Sequence, residues 1–341
     1  MAFFDDPKTM KKSLVLLSLI AGIVLFGLVL SSVGTEKIIS SFEIFSFYKY
    51  LFVFGFYFLI YLLSLARWGM IINALKFHIP FAKLLPIRLT EYAVSYITPV
   101  SRLGGEPAMA YLLKNECNIN YKKGILIIIL NKFLDFAAGI LLSVPGIILF
   151  IVFYGKNLSG KIDFFLALIV LMLLLAVVLF YFKIMRKEGF FSVIIRPFKD
   201  VFKIKNIHES ITAVETELHH FFKKEKRKMI IAFCICLIVN LLLFVNYKIL
   251  ALFLGVNLSL IQLFIIFLFT IIASMLPIPG SLGSFEGCFA LVFLIMGFNP
   301  GLGVAFALII RSFELILTSL GLLFFSYYGI KSKNAEKGLK R

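Results

Sequence analysis

The sequence predicts an all-α polytopic membrane protein: about six full transmembrane helices plus two re-entrant hairpins, arranged as an inverted repeat. Three observations carry this reading. Hydrophobic residues make up 61% of the 341 positions and mean hydropathy is +1.01, whereas soluble proteins run at about 45–50% apolar. Two stretches, TPVSRLGGEP at 98–107 and LPIPGSLGSFE at 276–286, break apolar runs with prolines, glycines, small polar residues and a carboxylate. Irregular backbone at membrane depth is tolerated only where protein or a watery cavity covers it. The two breaks also correspond in position, as in transporters whose site lies between two repeats.

Taken in order, residues 13–33 form a first span, and 34–46 a short polar link. A second span, 47–66, is expected to stop at Arg67-Trp68, a basic anchor beside an interfacial aromatic, with 67–83 as a basic loop. The run 84–97 contains Arg88 and Glu91 and is too short to cross alone; with the first break and 108–113 it makes a hairpin that enters and leaves on one side. A third span, 124–153, is long enough to tilt and carries Pro145-Gly146 as an expected kink. A fourth occupies 164–182. Residues 183–228 follow, with Ile207, Ile211, Val214, Leu218 and Phe221 at helical spacing, the pattern of an amphipathic surface helix. The fifth span is 229–254. The run 259–275 is either nearly a full span or the entry to the second hairpin, which continues through the second break and 287–298. Asn299-Pro300-Gly301 turns the chain into the last span, 304–328, and a basic tail.

The longest polar segment, 183–228, is shorter than a typical soluble domain, so the chain reads as one membrane domain, 1–341. The net charge of +17 reflects basic cytoplasmic loops rather than nucleic-acid binding. Placing the N-terminus, 67–123, 183–228 and the tail inside puts 28 of the 35 Lys and Arg residues in the cytoplasm. Both termini are then cytoplasmic in a cell-membrane protein, and the hairpins open from opposite faces. The four cysteines, at 117, 234, 236 and 288, lack metal-site spacing. The apolar run at 14–30 reads as an uncleaved span rather than a signal peptide. No cofactor, metal site or catalytic residue is expected.

The repeat extends beyond the breaks. Pro99 and Glu106 match Pro279 and Glu286 at an offset of 180, and Gly104 matches Gly283 at 179. Lys132 and Asp135 on the third span match Arg311 and Glu314 on the last, with the same basic-x-x-acidic spacing. Residues three apart share a helix face. The first repeat spans 13–153 and the second 163–330, the second containing the insert 183–228.

A charge at a span centre costs about 2.5–3.5 kcal/mol on insertion scales, so Lys132, Asp135, Arg311 and Glu314 should face the protein interior. Two readings stand: structural ion pairs between helices, or cations that attract an anionic headgroup while the acids control their charge. Glu106 and Glu286 follow glycine turns near helix N-termini. They either satisfy exposed backbone N–H groups, shape a cavity in which glycine amides bind phosphate, or carry a coupling proton. No Lys-Ser/Thr follows either glycine set, so a nucleotide P-loop is unsupported. Arg102, matched by Leu282, either binds headgroups at the cytoplasmic entrance or anchors the hairpin. Arg88 and Glu91 are spaced for a local pair.

The segments TPVSRLGGEPAMAYLL, LNKFLDF, LPIPGSLGSFEG and ALIIRSFELI resemble the lysylphosphatidylglycerol synthase transmembrane-region family. This flippase-like family includes the membrane half of the bacterial multiple peptide resistance factor. The resemblance covers roughly residues 10–330. It implies movement of a lipid between leaflets and puts forward Arg102, Gly104, Gly105, Glu106, Gly283, Glu286, Arg311 and Glu314 as site residues. The soluble aminoacyl-transferase domain of the complete factor is absent from this sequence, so lipid synthesis is not implied. Related membrane regions that accompany glycosyltransferases make an isoprenoid phosphate a second cargo class.

The expected function is therefore a non-enzymatic lipid flippase for an anionic or aminoacylated phospholipid or a polyprenyl-phosphate-linked headgroup. The alternative is a non-transporting subunit that presents lipid to a partner enzyme, with 183–228 as the docking element. An intramembrane transferase lacks a nucleophile–base constellation. Membrane lipids are the expected partners, with an enzyme or a second copy as further possibilities.

Overall fold

The computed structural model describes residues 45–98, 104–154, 223–276 and 278–339, with scattered positions between 20 and 36 and positions 216 and 219. The expected span 164–182, most of the insert 183–228, and Pro99 and Arg102 lie outside the described residues. Those described are helical, with no strand. The helices are α1 (Phe47–Ala74), α2 (Phe81–Ile97), α3 (Glu106–Cys117), α4 (Tyr121–Tyr154), α5 (Lys226–Phe253), α6 (Leu260–Met275), α7 (Ser284–Ile295) and α8 (Pro300–Leu339). Four of these, α1, α4, α5 and the 300–330 part of α8, are long and apolar enough to cross a membrane. Shorter apolar helices occupy 260–274 and 279–295.

Local chemistry sets the helix ends. The carboxamide of Asn120 accepts from Lys123 N–H at 2.9 Å and caps α4. Ser259 and Gln262 form a reciprocal capping box at α6. Asn299 accepts from Gly301 N–H at 2.9 Å, with Pro300 as the first residue of α8. Four helices close in one way: Lys76, Asn118, Gly255 and Gly297 adopt positive φ. The next residue's N–H then bonds back to Ile72, Leu113, Ala251 and Phe293 respectively, consuming carbonyls the helix end leaves open.

One span differs from expectation. α1 does not stop at Ala66; it continues to Ala74, with Arg67 and Trp68 buried rather than interfacial. Only the short link after Ala74 remains of the expected loop 67–83. Pro145, where a kink is expected, lies inside α4.

The chain forms two compact units, each discontinuous in sequence. One holds residues Met1–Leu59, Leu85–Met109 and Leu243–Arg341. Its core centres on α8. Phe313 is fully buried against Tyr50, Phe54 and Tyr57 of α1, with ring centroids 5.0–5.8 Å away. Tyr50 also shares a 2.8 Å hydrogen bond with Ser312. Phe306 packs on Phe289 and Phe293 of α7. Glycines on α8 permit backbone contact: a Cβ at Gly303 would lie 2.4 Å from the Phe289 carbonyl, and one at Gly321 would lie 2.1 Å from that of Leu89 on α2.

The other unit holds Ile60–Leu84 and Ala110–Leu242. There Leu126, Leu130 and Leu134, one stripe of α4, pack with Ile71 and Ala74 of α1 and with Met229 and Ala232 of α5.

Candidate functional site

α6 ends at Met275, and the backbone is extended at Leu276 and Ile278. Pro279–Ser281 then make one 3-10 turn before α7 begins at Ser284. Gly280 (φ 57°), Ser281 (φ 53°) and Gly283 (φ 75°) all adopt the left-handed region, which glycine enters freely and serine at a cost. A side chain at Gly280 would also strike the Tyr96 ring, 2.8 Å from its Cβ. The end of α2 therefore lies directly over this break.

Arg311 of α8 points at the break. Its Nε lies 2.5 Å from Glu286 Oε1. Its Nη2 donates to Glu286 Oε2 at 3.1 Å and to the Ser281 carbonyl at 3.0 Å. The Phe285 ring centroid lies 6.0 Å from the guanidinium carbon, within cation–π range. Glu286 is fully buried and Arg311 is 7% exposed. The second oxygen of Glu286 also accepts from Gly283 N–H at 2.9 Å. One carboxylate thus caps a helix N-terminus and neutralises an arginine. Glu314, although spaced to face Arg311's side of α8, is not its carboxylate in these bonds; it is buried one turn further on.

The first break is built differently. Gly104 and Gly105 keep ordinary φ values, so close approach explains both. A Cβ at Gly104 would lie 1.9 Å from Thr98 Oγ1, and one at Gly105 would lie 2.1 Å from the Glu91 carbonyl. Gly105 N–H donates to Ser95 Oγ at 3.0 Å, and Ser95 donates to Glu91 at 3.4 Å. Glu91 pairs with Arg88 as the spacing predicts. Glu106 is the first residue of α3, placed to favour its dipole. The idea that the glycines leave amides free for phosphate is corrected at Gly105 and Gly283, whose N–H groups are engaged by Ser95 and Glu286.

Lys132 and Asp135 belong to the other compact unit. Asp135 pairs with Arg67, not Lys132: Arg67 Nη2 lies 2.7 Å from Asp135 Oδ1. The Cys236 thiol completes the cluster, 3.5 Å from Arg67 Nη1 and 3.4 Å from Asp135 Oδ1. Arg67 is 1% exposed and its partner 40%, which is why α1 can carry an arginine past the expected end of its span.

The family model described as the lysylphosphatidylglycerol synthase TM region matches residues 15–321. The chain belongs to this family. This lysylphosphatidylglycerol synthase TM-region protein is a multi-pass membrane protein, in keeping with its long apolar helices. A UPF0104 membrane protein of Methanothermobacter thermautotrophicus is 23% identical over 290 residues, covering 80% of this chain and 83% of the relative. No solved structure matches.

Seven of the site residues read from the sequence therefore share one unit of this family member: Gly104, Gly105, Glu106, Gly283, Glu286, Arg311 and Glu314. The sequence reading missed Arg67, Tyr96 and Ser281. Arg67 was legible in principle, since an arginine beside a tryptophan in an otherwise apolar run fits burial with a partner as well as an interface. Nothing in the sequence marks Tyr96, whose part follows from the fold.

Proposed function

We propose that this protein is a lipid flippase that moves an anionic or aminoacylated phospholipid, or a polyprenyl-phosphate-linked headgroup, between leaflets. The observation that carries the reading is a buried arginine held at a helix break by a carboxylate and a main-chain carbonyl. A guanidinium is a planar fork that binds carboxylate and phosphate alike. Glu286 thus occupies the position a lipid phosphate takes when it arrives. As phosphate engages Arg311, Glu286 retains the Gly283 amide, so neither group is left as an isolated charge. Family membership supports lipid as the class of cargo.

In this reading the two broken segments are re-entrant hairpins of an inverted repeat in the cell membrane, with both termini cytoplasmic. The headgroup passes beside the breaks while its acyl chains remain in the bilayer. No covalent step is involved. One elementary charge moved through 100 mV is worth about 2.3 kcal/mol, enough to bias a charged lipid between leaflets. The deciding experiment is headgroup translocation in proteoliposomes of defined leaflet composition. Arg311→Ala is expected to abolish it while the protein still folds; translocation at the wild-type rate by a well-folded variant removes Arg311 from the mechanism.

A further inference from the structure

A cavity of about 530 Å³ lies in the other compact unit, distant in sequence from the helix break. Gly69, Met70 and Asn73 line it from one face of α1, Phe81 and Leu84 from the start of α2, and Lys228 from the start of α5. Its volume falls within the usual range for small-molecule sites, about 300–1,000 Å³. The walls are apolar apart from two groups, the Asn73 carboxamide and the Lys228 ammonium. Lys228 is about half exposed and lies 3.0 Å from Glu225, a partly exposed partner just before α5 begins. Lys223, Lys224, Lys226 and Arg227 are exposed beside it, so the polar end of the cavity is strongly cationic. An apolar slot with a cationic mouth, at the end of helices long enough to cross a membrane, is complementary to one kind of occupant: an acyl chain with an anionic headgroup. The floor at Gly69 has room for a side chain, since a Cβ there would make only an ordinary 3.7 Å contact with Leu84 Cδ2.

We infer that this cavity is a binding site for an anionic phospholipid, with one acyl chain along Gly69 and Met70 and its phosphate at Lys228 and Asn73. It is separate from the Arg311 site and does not depend on that site's role in translocation. The phosphate displaces Glu225 from Lys228, and the surrounding lysines supply the remaining counter-charge.

The chain's single tryptophan, Trp68, adjoins Gly69 and is fully buried, so it reports on the cavity without labelling. Purified full-length protein in neutral detergent is titrated with phosphatidylglycerol or phosphatidylcholine carrying brominated acyl chains, which quench tryptophan at short range. Saturable quenching by the brominated phosphatidylglycerol is expected, with weaker quenching by the phosphatidylcholine. Lys228→Glu, at an exposed position, is expected to weaken the phosphatidylglycerol response by about tenfold or more. Gly69→Phe, which fills the floor, is expected to abolish saturation for both lipids, with its fold checked by thermal melting. Should Gly69→Phe fail to fold, Gly69→Val serves as the milder filling variant. Quenching is read in detergent, where no leaflets exist, so failure of the translocation reading and failure of this one give different results. Equal quenching by the two lipids, or no effect of Lys228→Glu, overturns the proposal in favour of annular lipid. No quenching by either lipid overturns it.

Discussion

At Arg311 the guanidinium is held by two side-chain contacts to Glu286 and one bond to the Ser281 carbonyl. Removing either partner of a buried ion pair leaves the other charge stranded, at a cost of about 3–5 kcal/mol, whereas replacing both with apolar groups is often nearly neutral. Glu286→Ala should therefore lower the melting temperature in detergent more than the Arg311→Met/Glu286→Leu double variant does. A double variant as unstable as Glu286→Ala would point to the Gly283 cap, rather than the stranded arginine, as the main loss. At Arg67 and Asp135 the expected effect is smaller, because Asp135 is 40% exposed and water reaches one end of the pair. Asp135→Asn should cost clearly less than Glu286→Ala in the same melt. The Arg311–Glu286 pairing was only half legible in the sequence. Basic-x-x-acidic spacing on one helix suggests local partners, yet a helix break can bring a carboxylate 25 residues away onto the arginine. Local spacing shows which residues share a face; it does not show which element arrives opposite.

At the scale of elements, the glycines divide into two physical classes that their letters do not separate. Gly280 and Gly283 are needed for positive φ at the second break, whereas Gly105 and Gly321 are needed for backbone-to-backbone approach. Gly105→Ala drives a methyl group into the Glu91 carbonyl, and Gly321→Ala into that of Leu89, neither of which can rotate away. Each should destabilise by roughly 1–3 kcal/mol, read as a lowered melting temperature. The neighbouring change Gly329→Ala, with open space around it, should be neutral or slightly stabilising, since alanine favours helix over glycine. Much of the element map was legible because the signals are local: Asn299-Pro300-Gly301 as a turn, and prolines with glycines at the second break. The end of α1 was not. Arg67-Trp68 ends a span by composition, but Asp135 and Cys236, distant in sequence, supply the partners that let the helix continue.

For the whole molecule, the orientation we propose rests on where the basic residues fall, and the proposed inverted repeat makes it testable. Most Lys and Arg residues lie in segments assigned to one side, and cytoplasmic loops carry the excess of such residues. If the two breaks belong to hairpins of opposite sense, cysteines introduced at Pro107 and at Leu282 should react with a membrane-impermeant maleimide from opposite faces of inverted and right-side-out vesicles. The native thiols must be removed first. Cys234 is exposed and would contribute background. Cys117 is half-buried, and burial pushes its thiol up, against the opposing influence of Lys83, so it should label slowly at neutral pH and confuse the time course. On a cysteine-free background, the cysteine at position 107 should label from the cytoplasmic face and that at position 282 from the other. Labelling of both from one face would rule out the inverted arrangement. The charge latch at Arg311 could still bind an anionic headgroup, but it would lack the second, opposite-facing opening through which that headgroup leaves.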